Sequence, residues 1–127
     1  MRQVISAAGA PAPVGPYSVA IGTETLVFCS AQAGLDPATG RLVPGGIEAE
    51  TAQALRNLRT VLAAAGLGFS DVVKSNLYLV DMADFPRVNA VYGDVMGDDP
   101  PARTTVGVAS LPIGASIEIE MVAANRS

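Results

Sequence analysis

The chain has 127 residues, half of them apolar and 16% charged: enough to bury one core, too few for two ordinary ones, and too apolar for a disordered segment. Its formal net charge of −4, with no basic run, leaves no electrostatic footprint for nucleic acid or an anionic membrane. With no histidine and a single cysteine, Cys29, it lacks the means for histidine-based triads, for histidine or thiolate zinc sites and for an intrachain disulfide.

Residues 1–127 read as one domain. After a tail rich in alanine and proline, Gly15 to Gly22 (GPYSVAIG) is a strand candidate, and Thr25 to Ala31 a second that pairs with it as a hairpin. Asp36 to Gly40 (DPATG) is a turn, and the stretch on to Gly46 is loop. From Ile47 to Ala65 the periodicity becomes helical. Leu55, Leu58, Leu62 and Ala65 form a stripe widened by Ile47 and Val61, while Glu48, Glu50, Gln53, Arg56 and Arg59 fall outside it and Gly66 supplies the stop. Asp71 to Val80 is a strand rich in branched residues. Asp81 or Asp84 caps a second helix to Met96, with Phe85, Val88, Tyr92 and Val95 inward and Pro86 tolerated in the first turn. Two closing strands follow, one opened by Arg103 and one carrying Glu118 and Glu120, joined by the turn-rich segment Ser110 to Ala115.

The order ββαβαββ predicts an α+β fold, a mixed sheet with both helices on one face. The other face then lacks a cover, and so apolar a chain of this size is expected to bury it between subunits. Arg103 and Thr105 share one face of their strand, as do Glu118 and Glu120. If these two strands pair, a guanidinium and a carboxylate converge on one side of the sheet, in the kind of cleft between subunits where small molecules bind. No dinucleotide or P-loop motif and no calcium-binding spacing is present. Chemistry is left to Arg, Glu, Tyr, Ser, Thr, backbone groups and water, with neither metal nor cofactor. The lone cysteine and the lack of a leader-like or bilayer-length apolar run fit a soluble, cytoplasmic protein.

Five segments also carry a family resemblance: GPYS at Gly15 to Ser18, FCSAQAGLDPATG at Phe28 to Gly40, VVKSNLYLVDMADFPRVNAVY at Val72 to Tyr92, PPARTTV at Pro100 to Val106 and IEIEMVA at Ile117 to Ala123. In order and over nearly the whole chain, they resemble the RidA/YjgF/UK114 family of reactive-intermediate deaminases. The resemblance implies a chorismate-mutase-like fold, a homotrimer with sites at its subunit interfaces, and cofactor-free hydrolysis of 2-aminoacrylate-type enamine or imine acids to 2-keto acids and ammonia. By the same resemblance Arg103 grips the substrate carboxylate, Glu118 activates or positions the water, and Tyr17, Ser30 and Asn89 line the pocket. Two positions depart from the usual pattern. Ala31 stands where glycine is usual and adds a methyl group near the ligand, and Thr105 stands where some members have cysteine.

The residue types suit those roles. A guanidinium fork orients a planar carboxylate as a lysine point charge does not, and a glutamate exchanges protons with water and with a departing amine. Duller readings stand beside them: a cross-strand ion pair between Arg103 and Glu118, a structural Glu120, a packing Tyr17, a Ser30 that satisfies backbone, a solvent-facing Asn89 and a buried, unreactive Cys29. As functions, a trimer that binds small carboxylic acids without turnover is the alternative. RNA cleavage is disfavoured by the acidic charge, the missing histidine and the few aromatic residues.

Overall fold

A computed structural model describes residues 1–126. Its strands are β1 (Gln3–Ile5), β2 (Ala20–Gly22), β3 (Leu26–Ala33), β4 (Val72–Leu79), β5 (Ala102–Gly107) and β6 (Ile117–Ala124), and its helices α1 (Ile47–Ala64) and α2 (Phe85–Met96). They form one six-stranded mixed sheet in the order β1-β2-β3-β6-β4-β5. Only the β4/β5 pair is parallel. No described helix is long and apolar enough to cross a membrane.

Leu77 and Leu79 of β4 and Ile117, Ile119, Met121 and Ala123 of β6 alternate toward the helices. They are buried there with Leu55, Leu58, Val61 and Leu62 of α1 and Val88 and Tyr92 of α2 in one core. Burying each large aliphatic side chain is worth about 1.5–3 kcal/mol, so this stripe-on-sheet contact fixes which face of each element points inward. The predicted α+β arrangement of two helices on a mixed sheet is what the chain adopts.

Three features of the sheet differ from the sequence expectation. The N-terminal segment is not a tail: Gln3–Ile5 pairs antiparallel with Ala20–Gly22, a strand too short to show a period. The first expected strand is correspondingly reduced to Ala20–Gly22, because residues 15–19 form an irregular strap. The two closing strands do not pair with each other. β5 runs parallel to β4 at the sheet edge, and β6 inserts between β3 and β4. The connection hooks over the end of β4, where Val108 N–H donates to Leu79 O (2.8 Å) and Val80 N–H to Ser116 O (3.1 Å). Alternation specifies faces, not partners, so the sequence alone left this open.

Two polar residues of α1 anchor the sheet's exits. Glu50, expected on the polar side, is buried, and its Oε1 accepts the Ser116 N–H at 2.9 Å. The loop leaving β3 makes room for it: a Cβ on Gly34 would lie 2.6 Å from Glu50 Cα. Asn57 is 1% exposed and donates to the carbonyls of Ala33 (3.1 Å) and Leu35 (2.9 Å). At the helix end Gly66 takes φ 76°, its N–H bonding Ala63 O while Leu67 N–H bonds Leu62 O, the Schellman closure expected of a terminal glycine.

Candidate active site

Arg103 sits on the edge strand β5 opposite Ser75 of β4, and Thr105 opposite Leu77. Ser75 and Leu77 are buried toward the helices, so Arg103 and Thr105 point to the α2 side. There Arg103 Nη2 donates to Asn89 Oδ1 at 2.7 Å. Its guanidinium lies 4.9 Å from the Tyr92 ring centre and 5.5 Å from that of Phe85, close enough for cation–π attraction. Tyr92 is itself tied through its hydroxyl to the buried Ser75. Stacking and hydrogen bonding therefore hold the guanidinium in place, yet among the described residues it has no carboxylate partner. The Thr105 hydroxyl on the same face is buried and without a partner among the described residues, a donor that ordinarily would be satisfied. Asn89, Tyr92, Gly93, Gly97, Pro100, Pro101 and Arg103 line a hollow of about 270 Å³.

Glu118 and Glu120 point the other way, to the face the helices leave open, because Ile117, Ile119 and Met121 occupy the alternate positions. Val14, Tyr17, Ser30, Ala31, Pro112, Glu118 and Glu120 line a second hollow of about 350 Å³. Ser30 and Ala31 fall where the β3/β6 register shifts between Cys29 and Gln32, an irregularity of the kind that re-aims side chains beside functional sites. Glu120 is fixed by the Tyr78 hydroxyl and by Asn76 Nδ2, the latter at 3.3 Å. Its hydrogen bond, followed by burial and by the charges of Glu120 and Glu118, pushes the Tyr78 phenol up to about 12. Partial burial, and then the charge of Glu120, raise the Glu118 carboxyl above its ordinary value. A carboxyl so placed keeps its proton nearer to neutrality.

The sequence-derived residues thus divide into two groups. Arg103 and Asn89 come together at α2 and β5, with Thr105 buried on the same strand face outside the hollow, and Tyr17, Ser30, Ala31 and Glu118 come together on the open face. The expectation that Arg103 and Glu118 converge within one protomer is corrected, because β4 separates their strands and they emerge on opposite faces. The cross-strand ion pair falls with it. Ser30 Oγ donates to Ser18 O at 2.7 Å and the Tyr17 hydroxyl accepts the Val14 N–H at 3.2 Å, so both do local structural work while lining the hollow. Phe85 and Tyr92, which hold Arg103, and Asn76 and Tyr78, which hold Glu120, were missed as site residues. The alternation Lys74, Asn76, Tyr78, polar on one face of a strand otherwise rich in branched residues, was the available signal.

Cys29 is 4% exposed, and burial pushes its thiol up to about 11, the opposite of an activated nucleophile. Among the described residues no group of His, Cys, Asp and Glu is arranged to hold a metal ion.

The family model described as endoribonuclease L-PSP matches residues 7–125. A Mus musculus protein named 2-iminobutanoate/2-iminopropanoate deaminase is 47% identical over 123 residues, covering 97% of this chain and 91% of that protein. The crystal structure of a putative endoribonuclease from Thermotoga maritima superposes with a TM-score of 0.95 at 42% identity, covering all of both chains. That of E. coli TdcF with bound serine does so with a TM-score of 0.91 at 33% identity, covering 98% of this chain and 99% of that one. With the match spanning nearly the whole chain and all the site residues named above, this protein belongs to the endoribonuclease L-PSP family, the family of the RidA deaminases.

Proposed function

We propose that the protein is a cofactor-free deaminase that hydrolyses small 2-imino acids, and their 2-aminoacrylate-type enamine tautomers, to 2-keto acids and ammonia. The observation that carries this reading is Arg103: a positioned guanidinium lining a hollow, with no described carboxylate to neutralise it. Its two parallel N–H donors suit a substrate carboxylate. The mouse relative's name gives 2-iminobutanoate and 2-iminopropanoate as its substrates, and the bound serine of TdcF is a carboxylic acid of similar size.

Hydrolysis needs water to add to the imine carbon. The C–O bond forms as the C=N π pair moves to nitrogen, which takes one proton while the attacking water gives one up; the nitrogen of the resulting carbinolamine takes a second proton, the C–N bond breaks, ammonia leaves with its electron pair, and the hydroxyl proton is surrendered as the ketone forms. Glu118, held half-buried beside Glu120 with a raised proton affinity, is suited to give the first proton and to take up the last. Such imines hydrolyse readily on their own, so positioning supplies much of what is needed.

One protomer cannot apply both groups to one small molecule. We infer a chorismate-mutase-like homotrimer in which the Arg103 hollow of each copy abuts the Glu118 hollow of the next. A head-to-tail contact closes as a ring of three when successive copies are related by a threefold rotation. Phe28 and Val106, 46% and 41% exposed on the uncovered face, are apolar surface that such packing would cover. RNA cleavage is not favoured, because two carboxylates in one hollow repel a phosphodiester.

The test is keto acid release from freshly generated 2-iminopropanoate by wild type, Arg103→Ala and Glu118→Gln. The deaminase reading expects turnover by wild type and its loss in both variants with oligomer mass unchanged. Binding of keto acids without turnover would instead support a non-catalytic binder.

A further inference from the structure

The segment joining β5 to β6 turns at Pro112 to Ala115, where Ala115 N–H donates to Pro112 O at 3.2 Å. Both central residues have positive φ, 57° at Ile113 and 74° at Gly114, the signature of a type I′ turn, whose first central position suits Asn, Asp or Gly. Ile113 is the one non-glycine residue with positive φ among the described residues, and a β-branched side chain is an outlier there. A turn that only connected two strands would be relaxed by a different residue, so strain kept at this position calls for a compensating role. The core does not supply one, since Ile113 is 50% exposed. Instead its side chain lines a recess of about 30 Å³ with Pro112, Tyr17, Ala31 and Glu118, beside the larger hollow that shares those last four residues.

Neither space has a lysine or arginine in its lining. On the deaminase reading, on which this inference rests, the substrate carboxylate therefore lies outside them, against Arg103 of a neighbouring copy, while the imine carbon faces Glu118. The substituent left over is the substrate's side chain, and most of the remaining lining is apolar: Val14, Ala31 and Pro112 border both spaces, and Ile113 borders the smaller. We propose that Ile113 is a specificity-determining residue of this site, a fixed wall that admits imino acids with short unbranched aliphatic side chains and turns away branched ones.

The test uses Ile113→Gly and Ile113→Asn in the full chain, with imino acids generated from alanine and from leucine by an amino-acid oxidase. Three quantities are read: melting temperature, mass in solution and the ratio of kcat/KM for the leucine-derived to the alanine-derived substrate. Both variants are expected to melt higher, by about 2–4 °C. The ratio is expected to rise by about tenfold in both, the scale on which a hydrophobic pocket discriminates a few carbons, with the oligomer intact. A higher melting temperature with an unchanged ratio, or a changed ratio only where the oligomer is lost, overturns this proposal and leaves the deaminase reading standing. Absence of wild-type turnover on both substrates overturns the deaminase reading and this proposal together.

Discussion

Arg103 and Glu118 emerge from the two faces of one sheet, with β4 between their strands, so the guanidinium and the carboxylate of a single protomer cannot reach one small substrate. Arg103 is pinned among Asn89, Tyr92 and Phe85 on the α2 side. Glu118 shares the open face with Glu120 and Tyr17. On the proposed reading each surface is half of a site, which makes the oligomer part of the mechanism.

The role of Arg103 is testable without removing its charge. Arg103→Lys keeps the cation and loses the planar fork, its stacking on Tyr92 and its fixed bond to Asn89. Steady-state kinetics on 2-iminopropanoate should show kcat/KM falling on the order of 10²-fold. Near-wild-type activity would reduce Arg103 to a point charge.

Tyr78 reports on the second carboxylate. Its hydrogen bond to Glu120 raises the phenol to about 12, so spectrophotometric titration of the three tyrosines should show one that ionises late. Tyr78→Phe should remove that component, and Glu120→Gln should move it down toward the ordinary value. Because the folded value lies above the unfolded one, this contact contributes stability below the ordinary phenol range and loses it as pH rises through about 12.

Asn57 is predicted to matter for folding rather than chemistry. Asn57→Ala strands the buried carbonyls of Ala33 and Leu35 and should cost about 2 kcal/mol in urea denaturation. A cost within error would mean that the loop leaving β3 is held by something else.

Cys29 should behave as a small hydrophobe. With its thiol pushed up to about 11, labelling of the native protein by a thiol reagent at neutral pH should be on the order of 10²-fold slower than in denaturant.

Much of this architecture is legible in the sequence because it rests on periodicity. The stripe Leu55, Leu58, Leu62 marks α1, and the alternation of Ile117, Ile119 and Met121 with Glu118 and Glu120 assigns the faces of β6. What periodicity does not encode is which strand pairs with which. Whether Arg103 and Glu118 share a face depends on β6 inserting beside β4, a long-range choice made by the whole core. Glu50 and Asn57 were illegible for a related reason. A polar residue on a helix reads as solvated unless its buried partner, here Ser116 N–H or the Ala33 and Leu35 carbonyls, is known. Arg103 and Thr105 stand out by strand alternation and Asn89 through the resemblance, but the aromatic rings that hold Arg103 became visible only when α2 was laid against β5.

The most direct test of the account mixes its two half-sites. Arg103→Ala and Glu118→Gln, each expected to be inactive alone, are unfolded together in equal amounts, refolded and assayed on 2-iminopropanoate. If each site draws its arginine from one copy and its glutamate from the next, random assembly leaves about one quarter of the sites intact, and about that share of wild-type activity should return. A mixture as inactive as its components, at the same oligomer mass, would contradict a site shared between protomers.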